Sequence, residues 1–313
     1  MIETSQAMIR PARSHFFTAL FASAALSVVM RAADPAVRIS LDIAFLGPDR
    51  AEKLDLYLPP VRDAKKRSPA VVWIHGGGLM TGTKNEARAR EICTTFAKAG
   101  YVAVSIDYKL AEGAWPQNLF DCKNAVRFLR TRAAEYRIDP DRIAVAGGSA
   151  GGYLALMAGF TAGKKEFEPN APYPGVSSTV RCVIDMYGPT NYLTRVKTDE
   201  DGRPTAARFV LGNHLKIFGA ASEDDDVLRI AAPVTHVAKS SPPVLILHGR
   251  ADTTVDYLQS EELIRVLKRN GVEHEAIFLD GVGHTFDFET WRKKPLPRDL
   301  RPVVLAFLAK HMR

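Results

Sequence analysis

Cysteine is scarce in this 313-residue chain: Cys93, Cys122 and Cys182 are the only three, and no two form a C-x-x-C pair. An odd, sparse set is no disulfide framework, and at most one bridge is available to it. Cys93 and Cys122 fall on expected helices, where each reads as a small buried apolar residue rather than a nucleophile or ligand. Long apolar runs are missing as well. The uncharged stretch near the start, Phe16 to Met30, has 15 residues and is short for a membrane span. No internal repeat and no low-complexity tract is present, which excludes a solenoid or a fibrous chain. Basic clusters interleaved with aromatics are also lacking. The net charge of +7 is spread along the chain, and its densest cluster, Lys65, Lys66 and Arg67, lies in an expected hairpin loop. Nucleic-acid binding is therefore not expected.

What remains is ordinary globular material, 46% hydrophobic and 25% charged, enough for one sizeable core. Residues 1–33 read as a signal peptide, because Arg10 and Arg13 precede the uncharged run. Met8 is a second candidate start, and Met30 and Arg31 make an imperfect cleavage site. The expectation is export to the periplasm or the medium, with anchoring by an uncleaved leader as the alternative. No stable membrane association is expected after processing. Residues 34–313 read as a single domain.

Strands are expected at Val37 to Phe45, Leu54 to Leu58, Ala70 to Ile74, Tyr101 to Ile106, Arg142 to Ala146, Val180 to Tyr187, Val244 to Leu247 and Glu273 to Phe278. Helical spacing appears at Asn85 to Lys98, Pro116 to Tyr136, Glu261 to Asn270 and Arg301 to Lys310, and a small-residue helix follows Gly147 to Gly152 and runs to about Ala162. The alternation from Ala70 onward predicts an α/β fold with a mostly parallel sheet and helices on both faces. Residues 190–241 break the rhythm, with acidic runs at Asp199 to Asp201 and Glu223 to Asp226 and an apolar piece, Phe209 to Phe218. This stretch reads as an excursion near the mouth of the site.

Four loops that follow strands carry the chemistry. Gly147-Gly148-Ser149-Ala150-Gly151 fits a nucleophile elbow, a turn so tight that the flanking positions must be nearly free of side chains. Its helix N-terminus would aim the Ala150 amide at a developing oxyanion. A G-x-S-x-G match alone is weak, since a glycine-rich turn of structural use gives the same string. His75-Gly76-Gly77-Gly78 follows a buried strand and leaves backbone amides unshielded, with His75 read as a structural residue holding the loop. Asp252, in His248-Gly249-Arg250-Ala251-Asp252, is the candidate acid, with Asp256 its competitor. His284, in Gly281-Val282-Gly283-His284, is the candidate base. His236 and His248 read as structural. Loops after parallel strands gather at one edge of a sheet, and the chain order Ser, Asp, His fits nucleophilic acyl transfer on such a sheet.

With Asp107-Tyr108, Trp115-Pro116, Asp121 and Asp139-Pro140-Asp141-Arg142-Ile143, these motifs resemble the hormone-sensitive-lipase-like carboxylesterases. The nearest branch is the His-Gly-Gly one, similar to the BD-FAE family and containing acetyl, feruloyl and carbohydrate-acting esterases. The likeness runs from about Leu41 to the C-terminus. It implies an α/β-hydrolase fold and a Ser149–His284–Asp252 triad, with an oxyanion hole from the amides of Gly77, Gly78 and Ala150. It also implies a serine carboxylesterase acting through an acyl-enzyme on short-chain or polysaccharide-linked esters, with neither metal nor organic cofactor. Two departures bear on the substrate: His-Gly-Arg-Ala-Asp replaces an Asp-Pro-Leu segment, and Val255-Asp256 stands where relatives have Val-Pro. A prolyl-oligopeptidase-like peptidase, a formamidase and a non-catalytic binding protein are the alternatives.

Overall fold

The computed structural model describes residues 36–60, 66–195 and 206–313, besides residue 1. The leader, Lys65 and the acidic run Asp199 to Asp201 lie outside the described residues. In the unit Pro35–Arg313, the chain runs β1 (Arg38–Ala44), β2 (Lys53–Leu58), β3 (Ser68–Ile74), α1 (Ala87–Lys98), β4 (Val102–Ile106), α2 (Gln117–Thr131), α3 (Ala133–Tyr136), β5 (Ile138–Gly148) and α4 (Ala150–Phe160). It continues with β6 (Val183–Met186), α5 (Ala206–Phe218), α6 (Asp226–Ile230), α7 (Pro233–His236), β7 (Val244–Gly249), α8 (Leu258–Arg269) and β8 (His274–Leu279). A short hairpin, β9 (Thr290–Trp291) with β10 (Lys294–Pro295), and α9 (Arg301–His311) complete it.

Eight strands form one sheet in the order β1-β2-β4-β3-β5-β6-β7-β8. The β1/β2 and β2/β4 pairs are antiparallel, and every other pair is parallel. The expected hairpin around Lys65 to Arg67 is therefore not one: β2 and β3 do not pair, because β4 lies between them. Alternate residues of the central strands feed two cores. Val72, Ile74, Val145 and Ile246 pack with α2, α4 and α8, while Val71, Trp73, Ala146 and Leu247 pack with α1 and α9. Burial on both faces is why these strands read as unbroken apolar runs rather than as alternation.

The expected helix Pro116 to Tyr136 breaks at Arg132, whose ψ of 14° leaves the helical range. Strand β5 starts earlier than expected and carries Pro140 in a register shift, Ser68 facing Ile138 and Ala70 facing Ile143. That irregularity accommodates a residue with no N–H to give the ladder. Strand β6 stops at Met186, and Tyr187 beyond it takes a φ of +46°. The apolar piece in the excursion lies on helix α5. All three cysteines are buried and free. Among the described residues no helix is long and apolar enough to cross a membrane.

Register brings the loops to one edge. Ile74 faces Gly147, Gly147 faces Asp185, Met186 faces Leu247 and Gly249 faces Leu279. The chain thus leaves β3, β5, β6, β7 and β8 at nearly one height, where a parallel sheet places its ligands.

Candidate active site

The turn from β5 into α4 is set by contact with its neighbours. A Cβ on Gly147 would lie 2.3 Å from the Gly151 carbonyl, and one on Gly151 would lie 2.0 Å from the Ile74 carbonyl oxygen. Either methyl group would push the turn off the sheet, so both positions require glycine. Between them Ser149 adopts φ +57°, ψ −123°, a conformation that costs a non-glycine residue of order 1–3 kcal/mol, about the scale of one lost hydrogen bond. The Ser149 amide donates to the Met186 carbonyl at 2.8 Å, which holds the strained residue in place.

The loop after β3 turns just as tightly. Gly77 and Gly78 have φ of +108° and +62°, and the Gly77 carbonyl turns back to accept from the amides of Met80 (3.1 Å) and Thr81 (3.0 Å). Among the described residues neither the Gly77 nor the Gly78 amide donates to a backbone acceptor. His75 stacks on Tyr108 with ring centroids 4.4 Å apart, and the Tyr108 hydroxyl donates to the His75 carbonyl at 3.0 Å. Asp107 accepts from the Lys84 amide and the Thr83 hydroxyl at the far end of the loop. Asp121 receives both terminal nitrogens of Arg50 and the Lys109 amide. The Tyr108 and Asp107 contacts therefore brace the two ends of the glycine loop that lines the site, while Asp121 ties Arg50 to Lys109.

Ser149, His284 and Asp252 come together. His284 Nε2 lies 2.9 Å from Ser149 Oγ, and its Nδ1 lies 2.6 Å from Asp252 Oδ2. Asp252, not Asp256, makes this contact. The other oxygen, Oδ1, accepts from the amides of Thr254 (2.8 Å) and Val255 (3.0 Å). Burial pushes the Asp252 pKa up, but hydrogen bonds with His248 and His284 outweigh it and hold the carboxyl well below the usual range. His284 is itself positioned by Trp291, whose indole N–H donates to its carbonyl at 3.0 Å, and by the Tyr187 ring at 5.0 Å.

Several contributors escaped sequence reasoning. His248 is structural, as read, but its partner was not foreseen: its Nε2 lies 2.9 Å from the Val255 carbonyl and 3.4 Å from Asp252 Oδ2, so it steadies the carboxylate. Tyr187 reaches the Phe286 carbonyl at 2.6 Å. Asp185 lies beneath the elbow, accepting from the Gly188 amide at 3.0 Å, and a Cβ on Gly152 would come within 2.4 Å of it. A charged residue inside the apolar run Val183-Ile184-Asp185-Met186 was the available signal. Tyr192, Arg195, Asn213 and His214, from the 190–241 excursion, line a cavity of about 530 Å³ together with Ser149, His284 and the glycine loop.

Two buried groups near the site make stability pH-dependent in opposite senses. Burial, with the Arg195 charge beside it, pushes the His214 pKa down to about 3. Burial raises that of Asp185 to about 7. Unfolded reference values are about 6.5 for histidine and 3.9 for aspartate. Between about pH 4 and 6.5 the unfolded chain binds an extra proton at His214, so that group's contribution is full above 6.5 and is lost on acidification. The folded chain binds the extra proton at Asp185, so that contribution is full at low pH and fades as pH rises towards 7. Urea unfolding across pH 4.5–6.5 is expected to show His214→Phe gaining less stability with rising pH than the parent, and Asp185→Asn gaining more. Each departs by up to about 1.4 kcal/mol per pH unit. Slopes equal to the parent's would mean that neither group is shifted.

The comparisons with known proteins agree with this architecture. The BD-FAE family model matches residues 54–267, which include the glycine loop, Ser149 and Asp252. Esterase LipC of Mycobacterium tuberculosis (strain ATCC 25618 / H37Rv) is 30% identical over 246 residues, covering 77% of this chain. The chain spans only 58% of LipC's length. Among solved structures, a truncated carbohydrate esterase from gut microbiota superposes with a TM-score of 0.73 at 25% identity, covering 90% of this chain and 98% of that one. Esterase 2 of Thermogutta terrifontis phosphonylated by sarin gives 0.67 at 25% identity, covering 88% and 93%. An eight-stranded, mostly parallel sheet with its glycine loops at one edge, matched over most of its length by that family model, places this chain in the BD-FAE family with an α/β-hydrolase fold.

Proposed function

We propose that the protein is a serine carboxylic-ester hydrolase working through an acyl-enzyme. The observation that carries this reading is the hydrogen-bonded chain from Ser149 Oγ through His284 to Asp252, at 2.9 and 2.6 Å, beside the Gly77, Gly78 and Ala150 backbone in one cavity. Ser149 attacks the ester carbonyl while His284 Nε2 takes its proton, and Asp252 holds the imidazole with its Nδ1–H inward. The amides of Gly77, Gly78 and Ala150 receive the oxyanion. One such donor is typically worth about 10²–10³ in rate. His284 then gives its proton to the leaving alcohol, and a water repeats the sequence on the acyl-Ser149 ester. A cavity of about 530 Å³ suits a short acyl chain or one esterified sugar unit. The names of the relatives, esterase LipC and a carbohydrate esterase, support the same substrate class. The basic head and uncharged run of residues 1–33 support export.

A fluorophosphonate probe tests the nucleophile directly. Ser149 Oγ attacks phosphorus, its proton passes to His284, and the P–F bond breaks with release of fluoride. The expected result is one adduct per chain on the peptide carrying Ser149, with hydrolysis of 4-nitrophenyl acetate lost in step. Sarin's adduct with the Thermogutta esterase supports this expectation. An enzyme that stays fully active and unlabelled at Ser149 would remove Ser149 as nucleophile.

A further inference from the structure

The wall of the cavity contributed by the segment after β6 holds a charge that the reaction does not use. Tyr192 is buried and packs against His214 and Phe218 with ring centroids 4.9 and 4.8 Å away. Beside them Arg195 is only 7% exposed, yet it lines the same cavity as Ser149 and His284. Its Nη2 donates to the Thr254 carbonyl at 2.5 Å, its Nη1 lies 3.4 Å from His214 Nδ1, and its Nε has no acceptor among the described residues. A guanidinium carries five N–H donors in a fixed fork, so most of them are unused. Asp252 and Asp256 lie near enough to favour its charge. The oxygens of Asp252, however, are already taken by His284, His248 and two amides. Among the described residues no carboxylate forms an ion pair with Arg195. His214 stays neutral there and adds no competing cation. A buried, always-charged fork with no ion-paired carboxylate among the described residues is a standing cost to the fold, and its planar geometry matches a carboxylate.

We propose that Arg195 is a specificity residue that pairs with a carboxylate carried by the ester, so that the cavity takes acidic esters. The proposal rests on the esterase reading above. The carboxylate can sit on the acyl side, as in the half-ester of a diacid, or on the alcohol side, as in an acylated sugar acid. The Nη2 bond to Thr254, two residues after Asp252, holds the guanidinium beside the loop that carries the acid.

Two matched pairs of esters distinguish the sources. Mono-4-nitrophenyl glutarate against 4-nitrophenyl valerate places the charge on the acyl group. 4-Acetoxybenzoate against its methyl ester places it on the leaving alcohol. The readout is the ratio of kcat/KM for the charged ester to that for its neutral partner. In Arg195→Gln this ratio is expected to fall at least tenfold in one of the pairs, and that pair identifies the side. An unchanged ratio in both pairs overturns the proposal, whatever common loss the variant shows. A second measurement needs no variant: in the parent enzyme benzoate is expected to inhibit at least tenfold more tightly than benzamide. Equal inhibition also overturns it. If the parent hydrolyses none of the esters, the esterase reading fails, and calorimetry with benzoate and benzamide still tests the anion site.

Discussion

Ser149→Ala is expected to lower kcat for 4-nitrophenyl acetate by on the order of 10⁶, with a folded protein of unchanged melting temperature. The size follows from the role proposed for the hydroxyl: when the covalent route is closed, only the positioning and oxyanion donors remain. In proteases built on such a triad, loss of the serine alone costs about as much as loss of the whole triad. The oxyanion donors and substrate binding that remain still give about 10³–10⁴ over water. At about 1.36 kcal/mol per decade, the lost transition-state stabilisation is roughly 8 kcal/mol. Stability is not at stake, because the Ser149 amide keeps its bond to the Met186 carbonyl at 2.8 Å and alanine adopts φ +57° no less readily than serine. Steady-state assay beside a thermal melt checks both halves. A variant that kept more than a hundredth of the activity would require another nucleophile.

The second large effect concerns the acid. Asp252→Asn is expected to lower kcat about 10⁴-fold, and the surroundings of the side chain say how. Oδ1 accepts from the amides of Thr254 and Val255, so the carbonyl oxygen of an asparagine must occupy that place. Its NH₂ then faces His284 Nδ1, where Oδ2 now accepts. Two donors cannot share that contact, so the imidazole must carry its proton on Nε2, pointing at Ser149 Oγ. The ring is then present but in the tautomer that cannot take the serine's proton. His248 Nε2, 3.4 Å from the same oxygen, loses an acceptor too. Asp256→Asn serves as the control and should change kcat by only a few fold. Equal losses in the two variants would show that Asp252 has no privileged role.

Much of this arrangement could be read from the chain itself, for a physical reason. Strands buried on both faces leave an apolar signature, and the turns after them are crowded enough to demand glycine. Ile74, Ala146 and Leu247 therefore located the strand ends to within two residues, and Gly76 to Gly78 and Gly147 to Gly152 marked the turns. What was not legible depends on contacts distant in sequence. The placing of β4 between β2 and β3 leaves no local trace, so Lys65 to Arg67 read as a hairpin. The contact of His248 with Asp252 is invisible until β7 and its following loop fold over one another. The wall formed by Tyr192, Arg195 and His214 joins residues on either side of ten positions outside the described residues. Its acidic runs and scattered apolar residues match no single period.

The free sulfhydryls have a consequence for how the protein matures. Burial raises the Cys93 and Cys122 thiols well above their usual range and that of Cys182 to about 12, so none exists as a reactive thiolate at neutral pH. A fold that buries all three of its thiols has no covalent cross-link to make or lose. Its native state is then the same in a reducing cytoplasm and in an oxidising compartment, and passage between them imposes no oxidation step on its assembly.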